Sequence, residues 1–161
     1  MEAGKNKLIY YSMLTQDIGT KQRLLQECKR KLDVQVQAAK EAMENAQQSA
    51  VESEGGMEDL REICQAQRDM YARQLDELLA VMVQLQGINA TKVNRQVSPG
   101  AVVRTELHNY FIGISLCEVK VDGEPYYAVS AMSPLYKAMA GKTEGQTFSF
   151  RSREYSILQV Y

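Results

Sequence analysis

The stretch NAQQSAVESEGGMEDLREICQ, residues 45–65, decides the fold of the first half of this chain. Gly55 and Gly56 lie in its middle, and no proline occurs between about Asp17 and Gly87. Glycine enters turn conformations at no steric cost, and good helix formers dominate the sequence on both sides. The stretch therefore predicts two helices joined by a turn at residues 53–57.

Apolar or small side chains recur every three or four residues on both sides of the glycine pair, which is the spacing of one helix face. The first helix carries Leu25, Cys28, Leu32, Val36, Ala39, Met43, Ala46 and Ala50, and the second carries Leu60, Cys64, Tyr71, Leu75, Leu78, Met82 and Leu85. A lone helix with such a stripe is marginal in water. We therefore expect an antiparallel coiled-coil hairpin over residues 17–87. The role of residues 1–16 stays open, and a coiled coil that serves as a scaffold is the structural alternative.

The second half of the chain changes to Val, Ile, Tyr, Phe, Ser and Gly, a composition typical of strands. Asp122-Gly123 is a strong hairpin signal, and residues 110–121 read as one long strand with a bulge at Gly113. After a linker at residues 88–97, we expect a small sheet of four or five antiparallel strands at residues 98–161.

One short helix should cover this sheet. Ser133-Pro134 is an N-cap followed by proline at the first helical position, and Gly141 ends the helix. The chain is therefore predicted to be an α+β protein, with a helical hairpin followed by a small sheet domain.

The composition of the chain argues against several classes of function. A net charge of −1 provides no general basic field for holding duplex nucleic acid. Three cysteines without CxxC spacing and a single histidine argue against a disulfide framework, a zinc site or an enzyme with its own active site. No run is apolar enough for a membrane helix, and no signal peptide is evident. We therefore expect a protein of the reducing cytoplasm that does not associate with a membrane.

Residues 133–146, SPLYKAMAGKTEGQ, resemble the SPIG-x-A-L-L-G-K-x-x-G-D segment of the GreA/GreB family of bacterial transcription elongation factors. The shared residues are Ser133, Pro134, Ala138, Gly141, Lys142 and Gly145. The resemblance covers residues 20–161, by motif here and by architecture elsewhere. It implies an FKBP-like C-terminal domain that docks on RNA polymerase while the hairpin enters the secondary channel. Nucleic acid would be contacted indirectly, through the polymerase, by a monomer.

The same resemblance implies that acidic residues at the hairpin tip help to hold the Mg²⁺ of the polymerase active site during transcript cleavage. Carboxylates suit this hard cation, and the free protein is expected to bind no metal or cofactor. With the turn at the glycines, the first candidates are Glu54 and Glu58. The second candidates are Glu52, Asp59 and Glu62.

The family pattern D-x-x-E is spelled by Asp59 and Glu62, but these should lie within the second helix. Leu60 between them should belong to the seam, the line of contact between the apolar stripes of the two helices. With the turn at the glycines, Gly55 and Glu58 stand at the approximate positions of the pair, so one acid is absent and Glu54 is its nearest substitute. This departure from the family pattern leaves two alternatives open. The acids complement the helix dipole without taking part in cleavage, or the protein occludes the channel without promoting cleavage.

Residues around the short helix are expected to dock on the polymerase: Ser133, Pro134, Leu135, Lys137, Met139 and Lys142. The aromatic side chains of the sheet domain are expected in its core, at Tyr126, Tyr127, Phe148, Phe150 and Tyr155. A prolyl isomerase pocket built from them is the enzymatic alternative. His108 is interpreted as a turn residue, and Cys28 and Cys64 as buried seam residues.

Overall fold

A computed structural model describes the backbone of residues 2–52 and 58–161 and the side chains of residues 6–52 and 58–161. Within these ranges the chain forms three helices and six strands. In chain order they are α1 Glu2–Glu52, α2 Glu58–Gln86, β1 Val102–Thr105, β2 Asn109–Gly113, β3 Glu118–Val121, β4 Glu124–Ser130, α3 Pro134–Met139, β5 Thr147–Phe150 and β6 Arg153–Val160. The predicted α+β class is confirmed, with two long helices before a mostly antiparallel sheet and one short helix.

The chain divides into two compact units. One contains Met1–Cys28 and Gln84–Tyr161, and the other is Lys29–Val83. Helix α1 begins at Glu2, so the predicted N-terminal extension is helical from its second residue. The predicted turn at residues 53–57 lies outside the described residues, and the predicted domain bounds stay predictions.

In the unit Lys29–Val83 the two long helices pack through the predicted stripe of α1. Leu32, Val36, Ala39 and Ala46 are buried there, as is Cys64 on α2. One cleft is lined by side chains from the last turns of α1 and the first turns of α2, which shows that the two helices run antiparallel.

The seam of α2 is less buried than that of α1. Tyr71, Leu75 and Leu78 are half-buried, because a two-helix pair has no second layer to cover them. Leu60 is 47% exposed, so its predicted place in the seam is wrong. It stands one turn before Cys64, where the facing helix carries alanine and offers little apolar surface.

The sheet order is β3-β4-β2-β1-β6-β5. Four neighbouring pairs are antiparallel, and β2 pairs with β4 in parallel. The expectation of four or five antiparallel strands is therefore wrong in number and in this one pairing. A parallel pair needs an intervening crossover, which β3 provides by lying outside β4.

The predicted single strand at residues 110–121 is two strands, β2 and β3, separated by residues 114–117. The break follows Gly113, where a Cβ atom would overlap the Ile88 side chain. The hairpin between β3 and β4 is as predicted, with positive φ at Asp122 and Gly123, as its turn type requires.

The core of the sheet domain contains Val97, a residue of the predicted linker, which is 1% exposed. The Val97 amide donates to the Lys142 carbonyl at 2.8 Å, and the Gly141 amide donates to the Val97 carbonyl at 2.8 Å. The end of the predicted linker is therefore part of the folded domain. It ties the start of the sheet domain to the end of α3.

Lys21 of α1 is buried within the same unit, with 2% of its surface exposed. Its ammonium donates to the Lys92 carbonyl at 2.7 Å and to Asn94 Oδ1 at 2.8 Å. Burial, together with the smaller effect of the Lys92 charge, lowers the pKa of Lys21 to about 8, while the charge of Asp17 opposes this shift. The paired ammonium thus joins α1 to the segment that precedes β1.

The charge on Lys21 predicts a pH dependence of stability. Its pKa is about 8 in the folded chain against an ordinary value of 10.5, so between these values the unfolded state binds more protons. The free energy of unfolding should therefore rise between about pH 8 and 10, by about 1–3 kcal/mol relative to Lys21→Met. Urea titrations of both proteins across this range test it. For the control Lys40→Met, at an exposed lysine, the free energy of unfolding should rise with pH as it does in the wild type. The same pH profile for all three proteins would contradict the prediction.

The helix pair should depend on its buried leucine. Leu32→Ala removes a side chain that is 1% exposed and should lower the free energy of unfolding by about 2–4 kcal/mol, through lost burial and an unfilled cavity. Val34→Ala, at a position 61% exposed, should change it by less than about 0.5 kcal/mol. Urea unfolding followed by helical circular dichroism distinguishes them, and similar losses for both variants would refute the assigned seam.

Candidate functional site

The candidate acids lie at the ends of the two long helices. Glu52 ends α1 and accepts a hydrogen bond from Gln48 at 3.1 Å. Glu58 and Asp59 form the first turn of α2, and Glu62 follows in the next turn. All four are exposed, whereas Glu54 lies outside the described residues.

Asp59 and Glu62 lie three residues apart on α2, a spacing that places them on neighbouring positions of one helix surface. Both residues lie within α2, as expected, but Leu60 between them is exposed and does not belong to the seam. Their carboxylates therefore project from an accessible surface that begins at the first turn of α2. Glu58 and Asp59 also stabilise the helix N-terminus, where the helix dipole favours negative charge.

A cleft of about 150 Å³ lies beside these acids and has a different character. Arg61, Gln65 and Arg68 of α2 line it together with Gln47 and Val51 of α1. The Arg68 guanidinium also pairs with Asp69 at 3.0 Å. The end of the helix pair therefore presents carboxylates on both helices and guanidinium groups on α2.

Among the residues that the structure describes, no three His, Cys, Asp or Glu side chains converge to hold a metal ion. Mg²⁺ is commonly held by one or two protein carboxylates together with waters and other oxygens. The exposed acids can therefore add one or two ligands to a cation that another molecule carries. In the same described ranges, no helix combines the length and the apolar content needed to cross a membrane.

The predicted docking residues around α3 differ in accessibility. Pro134 and Lys137 are exposed, and Lys142 is partly exposed. Leu135 packs in part against the core. Met139 is 0% exposed, so the docking role predicted for its side chain is wrong; it fills the space beneath α3 between β4 and β5.

The residues shared with the GreA/GreB motif have structural roles in this segment. Ser133 Oγ accepts the Tyr136 amide at 3.1 Å as N-cap, and Pro134 follows at the first helical position. Gly141 and Gly145 have φ angles of +74° and +83°, a region that side chains avoid. The motif therefore encodes a capped helix and the two turns after it.

The aromatic side chains occupy the core, as predicted. Tyr126, Phe148 and Tyr155 are buried, and the rings of Phe148 and Tyr155 stack at 4.9 Å. Tyr127 and Phe150 are partly buried and pack against the same cluster. The rings of Tyr127, Phe148, Phe150 and Tyr155 therefore pack in the cluster on the α3 side of the sheet. Tyr126, the neighbour of Tyr127 on β4, points to the other side of the strand, where its hydroxyl donates to Glu124 at 3.3 Å.

His108 lies in the turn between β1 and β2, as predicted. It is exposed, and its carbonyl accepts the Thr105 amide at 3.0 Å. Its ring meets that of Tyr127 edge-on at 5.2 Å. Burial, followed by the nearby Tyr155, Tyr127 and Glu106, raises the pKa of the neighbouring Tyr110 to about 12.

The sequence did not indicate a cleft of about 270 Å³ within the unit that contains the sheet domain. Tyr10, Met13, Leu14 and Asp17 of α1 line one side of it. The opposite side is formed by residues 93–95, 144 and 159–161. The apolar run at residues 8–14 was the available signal, but a sequence pattern does not show what such a run faces.

No protein-family model matches the chain, and no curated protein matches it in sequence. Among solved structures, the chain is similar to GreA factor homolog 1 of Thermus thermophilus. The two are 19% identical over 83% of this chain and 94% of that one, with a TM-score of 0.33.

The turn after α3 should require its glycine. A Cβ at Gly141 would meet no neighbouring atom within 4 Å, so Gly141→Ala should lower the free energy of unfolding by about 1–2 kcal/mol through the positive φ alone. Gly19→Ala, within α1 and with equal space, should instead raise it by up to about 1 kcal/mol. Thermal unfolding of both variants checks the opposite signs, and a shift of the same sign for both would contradict the assignment.

Proposed function

We propose that this chain is a Gre-type regulator that binds RNA polymerase. Its paired helices enter the secondary channel, and its sheet domain docks on the polymerase surface through the exposed part of the α3 region, at Pro134, Lys137 and Lys142. The protein has no reaction of its own in this proposal, and it acts in the cytoplasm on nucleic acid that the polymerase already holds.

The observation that carries the proposal is the segment 133–146 together with the helices that precede it. Its matched residues form a capped helix followed by glycine turns, so the resemblance reflects a folded element and not composition alone. Two long antiparallel helices with exposed acids at their ends stand before this domain in the chain. This order of parts is what the resemblance implies for a Gre factor.

The chemistry proposed for the helix ends is the completion of a metal site. A second Mg²⁺ can generate the attacking hydroxide and stabilise the leaving oxygen. Glu54 and Glu58 are the proposed ligands, with Asp59 and Glu62 as the second pair. The polymerase supplies the remaining ligands and the RNA, so the transcript is cleaved by the polymerase's own active site.

The proposal predicts that the protein cosediments with core RNA polymerase and accelerates RNA shortening in a backtracked complex. Glu54→Ala combined with Glu58→Ala should reduce the cleavage rate about 100-fold or more, since one lost transition-state contact costs about 3 kcal/mol. Glu44→Ala combined with Glu77→Ala, at exposed acids within the helices, is the matched control and should keep the rate.

The outcomes distinguish the versions of this function. Binding without RNA shortening supports a regulator that occludes the channel. Equal rates for the Glu54/Glu58 variant and the wild type would exclude this pair and direct the test to Asp59 and Glu62. Absence of binding to the polymerase would refute the whole proposal.

A further inference from the structure

The cleft between the last turns of α1 and the first turns of α2 is lined by side chains that donate hydrogen bonds. Arg61, Gln65 and Arg68 contribute from α2, and Gln47 contributes from α1. Among the described residues that line this cleft, none is an aspartate or a glutamate. Because a guanidinium group donates and never accepts, a ligand that suits the cleft must offer oxygen acceptors and negative charge.

The three α2 residues of the cleft lie on one side of their helix. At about 100° per residue, Arg61, Gln65 and Arg68 fall within an arc of about 60°, and the two arginines are about 10 Å apart along the helix axis. On the same projection, Asp59 and Glu62 lie about 90° or more from the middle of this arc. Two cationic groups therefore flank one amide, and these two acids point elsewhere.

The positive charge of the cleft is only partly compensated by neighbouring acids. The Arg68 guanidinium donates to Asp69 through Nε at 3.2 Å and through Nη2 at 3.0 Å, which uses two of its five N–H donors. Within the described ranges, Arg61 forms no ion pair, although Glu58 lies one turn before it on α2. Donors of both arginines are therefore available to a ligand.

We propose that this cleft binds an oligophosphate, a chain of two or three phosphoryl groups such as inorganic pyrophosphate or the triphosphate tail of a nucleotide. Arginine binds phosphate oxygens through two parallel hydrogen bonds. A ligand with two anionic centres engages both guanidinium groups at once, without requiring them to approach each other. The amides of Gln65 and Gln47 donate to the oxygens between these centres.

The size of the cleft limits the ligand to the phosphate chain. Its volume of about 150 Å³ is below the roughly 300–1,000 Å³ typical of sites that enclose a small organic molecule. Its apolar lining consists of Ala50 and Val51, so among the described residues it holds no aromatic ring on which a base could stack. The phosphate groups, and not a nucleoside, are therefore the part that the cleft recognises.

This site belongs to the free chain and does not depend on the proposed polymerase function. Nucleotide addition releases pyrophosphate from a nucleoside triphosphate, so only a role for the site at the polymerase rests on that proposal. Anion binding by the free chain and binding of the chain to the polymerase are measured separately. The failure of one proposal is therefore distinguishable from the failure of the other.

The experiment is isothermal titration calorimetry of the full chain at low salt, where exposed charges are least screened. The wild type should bind pyrophosphate and tripolyphosphate at one site. Each should bind about 10-fold or more tightly than orthophosphate or sulfate, because two anionic centres are engaged and not one. Equal affinity for all four anions would overturn the proposal, and so would the absence of pyrophosphate binding at up to about 10 mM.

Two isosteric variants with the same net charge locate the site. Gln65→Glu places a carboxylate between the two guanidinium groups and should raise the pyrophosphate Kd about 10-fold or more. Gln67→Glu, at an exposed residue on another side of α2, should leave the Kd within about 2-fold. Similar Kd values for the two variants would overturn the assignment to this cleft. Circular dichroism confirms that each variant is folded.

A pair of double variants tests the arginines. Arg61→Gln with Arg68→Gln removes both guanidinium groups and should abolish binding of pyrophosphate. Lys29→Gln with Arg73→Gln removes the same number of charges at exposed residues outside the cleft, and binding should persist. Pyrophosphate binding that survives in the first variant, or that is lost in both, would overturn the proposal.

Two further titrations identify the source of the ligand. Equal affinities for ATP and tripolyphosphate would show that the phosphate chain alone is recognised, and tighter binding of ATP would assign the site to a nucleotide; both results support an oligophosphate site. The third ligand is a short single-stranded RNA with a 5′-hydroxyl end. If the wild type binds this RNA and not pyrophosphate, the cleft holds a phosphodiester strand, and the proposal is refuted.

Discussion

The ammonium group of Lys21 is removed from water between α1 and residues 92–94. Hydrogen bonds to the Lys92 carbonyl and to the Asn94 side chain replace part of its lost hydration. A buried charge without such partners costs several kcal/mol, so a shift of α1 along this segment is strongly disfavoured. Asn94 also donates to Ser98 at 2.7 Å. A continuous chain of hydrogen bonds therefore runs from α1 to the turn before β1.

Contacts on either side of Lys21 are weaker and depend on the position it sets. Gln159 donates to the Asp17 carboxylate at 3.3 Å, and Arg23 pairs with Asp122 at 3.0 Å on an exposed surface, where such a pair contributes little. Toward its N-terminus, α1 continues past these contacts into residues 8–14. Because the helix is held at residues 17–23, its apolar beginning stays beside the sheet domain without being covered.

Much of this fold was predictable from local signals. The glycine pair and the two stripes indicated the long helices, and Ser133-Pro134 and Asp122-Gly123 indicated α3 and a hairpin. Features that depend on distant residues were not predictable. The close approach of the Ile88 side chain to Gly113, where β2 ends, and the burial of Met139 among residues of the β-strands are both of this kind. Leu60 repeats the seam spacing, yet the facing residues near that end are too small to cover it.

The candidate site was less predictable than the fold for a related reason. The motif residues Ser133, Gly141 and Gly145 act within the chain, so the structure accounts for each by a cap or a backbone angle. Among the described acids at the helix ends, Glu58 and Asp59 complement the helix dipole, and Glu52 accepts an exposed hydrogen bond from Gln48 of its own helix. In water their charges are screened, whereas near a metal ion in a confined, dry channel the same carboxylates interact strongly. Their chemistry would therefore arise from the partner's environment, and spacing within one chain does not specify it.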